Sequence, residues 1–418
     1  MTPKENNISE QLRSNELVEM ELRSILDISQ AINNNTPEEN LYKIYRFSLI
    51  GSLKVKLFAL YVLVNETQWE CKVYYGTKYK LDQIALEIDK IIHLKTTTST
   101  KQIHFEHPAF QEFDWVIPIQ HKDRTICFLF TETYQGATNP EDHLAGLRFV
   151  QTLTNILTVA IENRKLVQKQ LQQEAFKKEM EIAKHVQNKL FPRSLPYNEH
   201  VQIKATYIPH TIIGGDYYDY IPLDNHRFMI CIADISGKAI GAALVMSNVQ
   251  ATLRVLMRQA YSLKHTIEKL NYFITEITLK EEFVTFFIAI YDTKNHTLEY
   301  INAGHNPAIL YDIKHGQIHQ LSNGCTVLGA FEPLPFINET TINNLTNFLL
   351  FCYTDGLTEA KNPEGELFNV ERVIQFMQSH KYTNLEDLNN NLIKEVRKFM
   401  RENEFHDDIT ILSLRVMP

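Results

Sequence analysis

Two aspartates bracket one apolar hairpin, and that arrangement constrains the C-terminal half of this 418-residue chain more than any other feature. Gly214-Gly215-Asp216 leads into a strand over 217–223, Leu223-Asp224-Asn225-His226 supplies a turn, and a nearly all-apolar strand over 227–233 runs into Asp234-Ile235-Ser236-Gly237. Asp and Asn in the turn, flanked by aliphatic and aromatic residues, are hairpin signals. A hairpin centred near Asn225 sets Asp216 opposite Asp234. Two carboxylates so placed repel each other unless a cation lies between them. Taken singly, such a pair reads as two solvated strand ends, and the rest of the chain has to decide.

Two more acid sites repeat the pattern. The apolar segment 348–353 is followed by Thr354-Asp355-Gly356, and Asp407-Asp408 stands directly before the strand 409–416. In an antiparallel sheet the end of one strand lies beside the start of its neighbour. Asp216, Asp234, Asp355 and Asp407 are therefore expected along one edge. Four carboxylates there are costly without cations, and they form a hard, oxygen-rich set suited to Mg2+ or Mn2+.

Composition excludes several alternatives. The net charge of −8 and the scatter of Lys and Arg imply no basic face for nucleic acid. Five cysteines occur with no CxxC spacing, so neither a zinc site nor a disulfide framework is expected. The N-terminus lacks an apolar signal region and the longest apolar run, 57–64, is far short of a membrane span, so a cytoplasmic protein without membrane insertion is expected. The length suggests two or three domains.

The first of these reads as α+β. Leu12, Val18, Leu22, Ile25 and Ile32 recur at helical spacing, Asn33-Asn34-Asn35 stops that helix, and Thr36-Pro37-Glu38-Glu39 starts another running to about Leu49, with Thr36 as N-cap. Strands follow at 57–64, 68–75, 115–120 and 125–131, the last two flanking a His121-Lys122-Asp123-Arg124 turn, and a long helix begins near Asn139. This order resembles a GAF sensory domain; PAS-like and unrelated α+β modules share its outline. From 153 to 190 the helical pattern persists. Leu153, Leu157, Ala160, Val167 and Leu171, then Ile182, Val186 and Leu190, form a broken stripe that reads as a parallel coiled coil in a homodimer or as a solvated linker helix. Phe191-Pro192 ends it. The expected organisation is 1–162 N-terminal helix and GAF-like domain, 163–194 helical linker, and 195–418 C-terminal domain.

The C-terminal domain resembles the PPM metal-dependent protein serine/threonine phosphatases in their SpoIIE-type bacterial branch. The matching stretches are Ala183-Lys184-His185-Val186-Gln187-Asn188-Lys189-Leu190-Phe191-Pro192, Gly214-Gly215-Asp216-Tyr217-Tyr218-Asp219, Asp234-Ile235-Ser236-Gly237-Lys238, Asn302-Ala303-Gly304-His305-Asn306-Pro307, Tyr353-Thr354-Asp355-Gly356 and Asp407-Asp408-Ile409-Thr410. The resemblance implies an α-β-β-α sandwich of two antiparallel sheets with two metal ions, Mn2+ or Mg2+, at one end. It assigns Asp216, Asp234, the Ile235 carbonyl, Asp355 and Asp407 to the metals, with Asp408 beside them and in a supporting place. It implies hydrolysis of a phosphoserine or phosphothreonine on a phosphoprotein, commonly an anti-sigma-factor antagonist, under control of the sensor domain. A non-catalytic scaffold that binds a phosphoprotein is the alternative. His305 is expected in a structural turn rather than as a general acid. Lys238 is placed either to contact phosphate or to start a solvated helix. Two departures stand out. Gly237-Lys238-Ala239 replaces a Gly-Lys-Gly or Gly-His-Gly turn, and a positive φ there costs Ala239 on the order of 1 kcal/mol. Phe368-Asn369 replaces Phe-Gly, a milder change because Asn tolerates the left-handed region.

Overall fold

The computed structural model describes residues 3–65, 67–133, 140–259, 262–380 and 384–418. The chain divides into two compact units, Met1–Glu174 and Ala175–Pro418.

The first unit comprises α1 (Pro3–Asn33), α2 (Glu38–Phe47), β1 (Phe58–Leu63), β2 (Trp69–Tyr75), the single turn α3 (Ile88–Ile91), β3 (Thr98–Ser99), β4 (Trp115–His121), β5 (Arg124–Thr131) and the larger part of α4 (Pro140–Asn188). Its antiparallel sheet has the order β2-β1-β5-β4-β3. Alternation along the strands gives the sheet two apolar faces. Leu60, Val62, Ile117 and Leu129 pack under Ile28, Tyr45, Leu153 and Leu157 of the helices. Tyr61, Phe128 and Phe130 pack on the other side with Phe105, Phe110 and Phe113. Two sequence expectations are corrected here. Pro37, not Thr36, occupies the N-cap of α2, with no side-chain cap, and α2 gives way at Ser48 to a π-helical turn, Ser48–Ser52. Leu153 and Leu157 are fully buried in this core and so cannot belong to a linker seam, whereas Val167, Leu171, Ile182 and Val186 are exposed.

The second unit takes in the end of α4, then β6 (Val201–Ile208), β7 (Tyr217–Pro222), β8 (Arg227–Ile235), α5 (Ala239–Arg258), α6 (Leu263–Thr278), β9 (Val284–Asp292), β10 (Thr297–Ala303), β11 (Ala308–Asp312), β12 (Gln317–Leu321), β13 (Gly324–Cys325), β14 (Thr340–Ile342), β15 (Phe348–Tyr353), α7 (Asp355–Thr358), α8 (Asn369–Ser379), α9 (Leu385–Met400) and β16 (Ile409–Val416). One sheet runs β13-β10-β9-β8-β7 with β14 beside β10, the other β12-β11-β15-β16-β6. All pairings are antiparallel except the two-residue contact of β10 with β13.

Period-two alternation builds four layers. On β8, Met229, Cys231, Ala233 and Ile235 face α5 and α6, while Phe228, Ile230 and Ile232 face the second sheet. On β15 and β16, Leu350, Cys352, Leu412 and Leu414 face back, and Phe351 and Ile411 turn out against α8 and α9. By length and composition α5 could cross a bilayer, but its Ala242, Met246, Val249 and Leu253 are buried in the core. The left-handed positions anticipated from the sequence are present: Ala239 has φ +58° and Asn369 φ +60°. Asn369 offsets its strain by accepting a hydrogen bond from the Arg372 N–H at 3.3 Å, whereas Ala239 has no side-chain polar group to do so.

Candidate active site

The inward apolar rows of both sheets end in polar residues at the same end of the sandwich. Two positions beyond Ile232 in the inward set comes Asp234, opposite Thr285 on β9. Two beyond Cys352 comes Thr354, and two before Leu412 comes Thr410; Thr354 N–H bonds the Thr410 carbonyl at 3.1 Å. The core is thus capped by a layer of hydroxyls and carboxylates.

Asp216 lies in the middle of that layer, 1% exposed. The register Tyr217↔Ala233 brings it opposite Asp234, as the hairpin reading expects. Its Oδ2 accepts from Thr354 Oγ1 at 2.8 Å and from Thr410 Oγ1 at 2.6 Å, both from the other sheet. Burial, then the Asp234 charge, raise its carboxyl far above the ordinary carboxylate range despite those two bonds. Asp234 is pushed up to about 7, by burial first and then by the charges of Asp355, Asp407 and Asp408. Asp355, at the start of α7, is raised by burial and by Glu359 and Asp407. These are the shifts expected of like charges gathered in a dry place.

Asp407 is the outlying member. Its side chain is half exposed, and Lys238 Nζ lies 3.5 Å from its Oδ2 and 3.2 Å from the His406 carbonyl. Among the described residues, no three His, Cys, Asp or Glu side chains are already drawn together closely enough to hold an ion. The expectation that all four acids share one edge therefore holds for the backbone, while Asp407 turns toward Lys238. Asp408 has a different role from the other acids: Oδ1 accepts from His210 N–H at 2.7 Å and Oδ2 from Gly215 N–H at 2.8 Å. With a backbone N–H on each oxygen, it fixes the loop that carries Asp216. That loop needs glycine at Gly214, where a Cβ would collide with the Asp408 carboxylate and the Tyr207 hydroxyl.

His305 is buried. Its Nδ1 lies 2.8 Å from Thr285 Oγ1 and its backbone N–H donates to Asn302 Oδ1 at 2.7 Å. Burial lowers its pKa to about 4, so it is neutral at pH 7. The enclosed imidazole, bonded to Thr285 opposite Asp234, braces the floor under that acid. Tyr217 and Tyr218 pack under Phe191, as strand-packing residues do.

The donor chemistry fits divalent cations. Asp216 and Asp234 cannot both ionise without a compensating charge, and the only nearby cationic side chain named above, Lys238, sits out on Asp407. A hard divalent ion would let the pair ionise together.

A family model for Stage II sporulation protein E (SpoIIE) matches residues 224–417. The second unit is thus similar, over residues 224–417, to the SpoIIE family. Its chain is 27% identical over 243 residues to the phosphoserine phosphatase RsbU of Bacillus subtilis (strain 168), covering 58% of this chain and 71% of that one. It is 28% identical over 187 residues to the phosphoserine phosphatase RsbP of the same organism, covering 44% of this chain and 46% of that one. Among solved structures, the SiaA-PP2C domain of Pseudomonas aeruginosa superposes with a TM-score of 0.52 at 18% identity, over 58% of this chain and 98% of that domain; it speaks for the fold. Together these similarities support the activity of a protein serine/threonine phosphatase.

Thr354, Thr410 and Gln187 are functional neighbours to which sequence reasoning gave no role. The two threonines were legible in principle: each continues the inward parity of an apolar strand with a hydroxyl. Gln187, whose Nε2 donates to the Gly214 carbonyl at 2.7 Å, stood within a matching stretch, but its contact spans 27 residues and ends on a glycine backbone, so its partner was not legible.

Proposed function

We propose that the protein hydrolyses phosphoserine or phosphothreonine on a regulatory phosphoprotein at a two-ion Mn2+ or Mg2+ site. Asp216 and Asp234, the Ile235 carbonyl, Asp355 and Asp407 would hold the ions, with Asp408 supporting the Asp216 loop. The observation that carries the reading is the buried, mutually repelling Asp216–Asp234 pair at the polar end of a SpoIIE-type sandwich. Cations held by these residues would supply a water of lowered pKa and charge to offset the phosphoryl oxygens. The chain's own part is to hold that geometry. Thr354 and Thr410 fix one oxygen of Asp216 and leave the other to face Asp234. Asp408 and the two glycines let the loop approach the second sheet. Lys238, exposed at the rim and 3.5 Å from Asp407, would be free to pair with a phosphate were Asp407 engaged by an ion.

An anti-sigma-factor antagonist is the substrate class that this branch of the family suggests. The sheet order of the first unit, with helices over one face, supports the GAF-like reading and a sensory role for 1–162. The exposed Val167, Leu171, Ile182 and Val186 on α4 support a homodimer through the 163–194 linker, in a cytoplasmic protein. Phosphate release from p-nitrophenyl phosphate and from a phosphoserine protein, with Mn2+ and then with EDTA, tests the chemistry: turnover that persists in excess EDTA contradicts it. Comparing the full chain with residues 175–418 tests the control, because equal rates and equal Mn2+ dependence would leave the first unit without influence.

A further inference from the structure

The loop that delivers Asp216 has no side chains of its own at Gly214 and Gly215, and a Gly-Gly backbone is held only by what bonds to it. Asp408 takes the Gly215 N–H from the side of β16. From the other side the loop is held by Gln187, in the last turn of α4, whose side chain is 5% exposed and whose Nε2 donates to the Gly214 carbonyl at 2.7 Å. We propose that Gln187 is a positioning residue for Asp216, acting through the Gly214 carbonyl, so that the last turn of α4 sets the site's affinity for divalent cations.

The seat of that turn is rigid. Phe191, just past the helix, stacks on Tyr218 at 4.8 Å between ring centroids and packs on Tyr207 at 5.1 Å. Gln250 of α5 donates to the Leu190 carbonyl at 3.1 Å. The Gln187 amide is therefore presented from a fixed place, and the buried Gly214 carbonyl it serves would be costly to leave unpaired. Displacing the turn by an ångström breaks the bond and frees the Gly-Gly segment, while the two threonine bonds to Asp216 remain. Gln187 and Gln250 thus divide two tasks. Gln250 seats the helix end, and Gln187 reaches from it to the acid loop.

This inference rests on the metal reading above, and the test separates the two. Isothermal titration of the full chain with Mn2+ alone is run on the parent protein, Asp234→Asn, Gln187→Met, Gln187→Ala and Gln250→Ala, with melting midpoints recorded in EDTA. Met keeps the length of Gln and loses the donor. Both Gln187 variants are expected to weaken Mn2+ binding about 10-fold or more, with turnover at saturating Mn2+ restored, while Gln250→Ala melts earlier and binds Mn2+ like the parent. Parent-like Mn2+ binding by Gln187→Met overturns the proposal. So does equal weakening by Gln250→Ala, which would make the bond a contact that merely seats the helix, and so does a Gln187→Met chain that fails to fold. Binding to the parent that survives Asp234→Asn overturns the metal reading itself, and this proposal with it.

Discussion

At the scale of single residues, the site is a set of costs held in place by the surrounding sandwich. Asp216 and Asp234 carry raised pKa values, which link stability to pH in a definite direction. An acid whose pKa in the folded chain lies above its unfolded value favours folding when protonated, and that contribution is lost as pH rises through the folded value. For Asp234 the loss falls between the ordinary carboxylate range near 4 and about 7. In EDTA, the melting midpoint of the second unit's transition is expected to fall as pH rises from 5 to 8. Mn2+ is expected to raise it more at pH 8 than at pH 5, because proton and cation compete for the same oxygens. A calorimetric series that shows no greater Mn2+ effect at pH 8 contradicts this. Ala239 carries a second cost at φ +58°. Ala239→Gly should stabilise the fold by about 1 kcal/mol, read as a higher denaturant midpoint with an unchanged slope.

At the scale of elements, α5 is the strut between the acid loop and the hairpin. Its Arg254 pairs with Asp219 of β7, Nε to Oδ2 at 2.8 Å and Nη2 to Oδ1 at 3.0 Å, and Tyr217 adds a third bond to the same carboxylate at 2.6 Å. The Asp219 side chain is fully buried. Arg254→Met leaves that charge enclosed and should cost about 3 kcal/mol, measured by urea unfolding of the second unit; a loss under about 1 kcal/mol, the scale of a surface pair, contradicts the role. The elements themselves were largely legible. The hairpin, its register and the four acid-bearing strand ends follow from apolar alternation and turn chemistry, so the backbone of the site could be drawn from sequence. The orientation of side chains could not. That Asp408 would spend an oxygen each on the Gly215 and His210 N–H groups, 193 and 198 positions away, and that Asp407 would turn to Lys238, depends on loop geometry between distant parts of the chain. The same limit explains Leu153 and Leu157: their spacing suits a coiled coil and a domain core equally, and only the sheet beneath them decides.

At the scale of the whole molecule, a helix of 49 residues, α4, begins in the core of one unit and ends at the acid loop of the other. Its exposed apolar positions, Val167 at 56% and Leu171 at 59% among them, are left uncovered by the described residues and suit a second copy. Sedimentation should give a dimer for the full chain and a monomer for the double change Val167→Glu and Leu171→Glu; a parent monomer at micromolar concentration removes the dimer. The central claim, that a carboxylate-held cation pair does the chemistry, is tested most directly by phosphate release from a phosphoserine protein at saturating Mn2+, comparing the parent chain with Asp234→Asn. Loss of turnover by at least about 100-fold, with the far-ultraviolet spectrum unchanged, is the expected result. Turnover within a few-fold of the parent would contradict it.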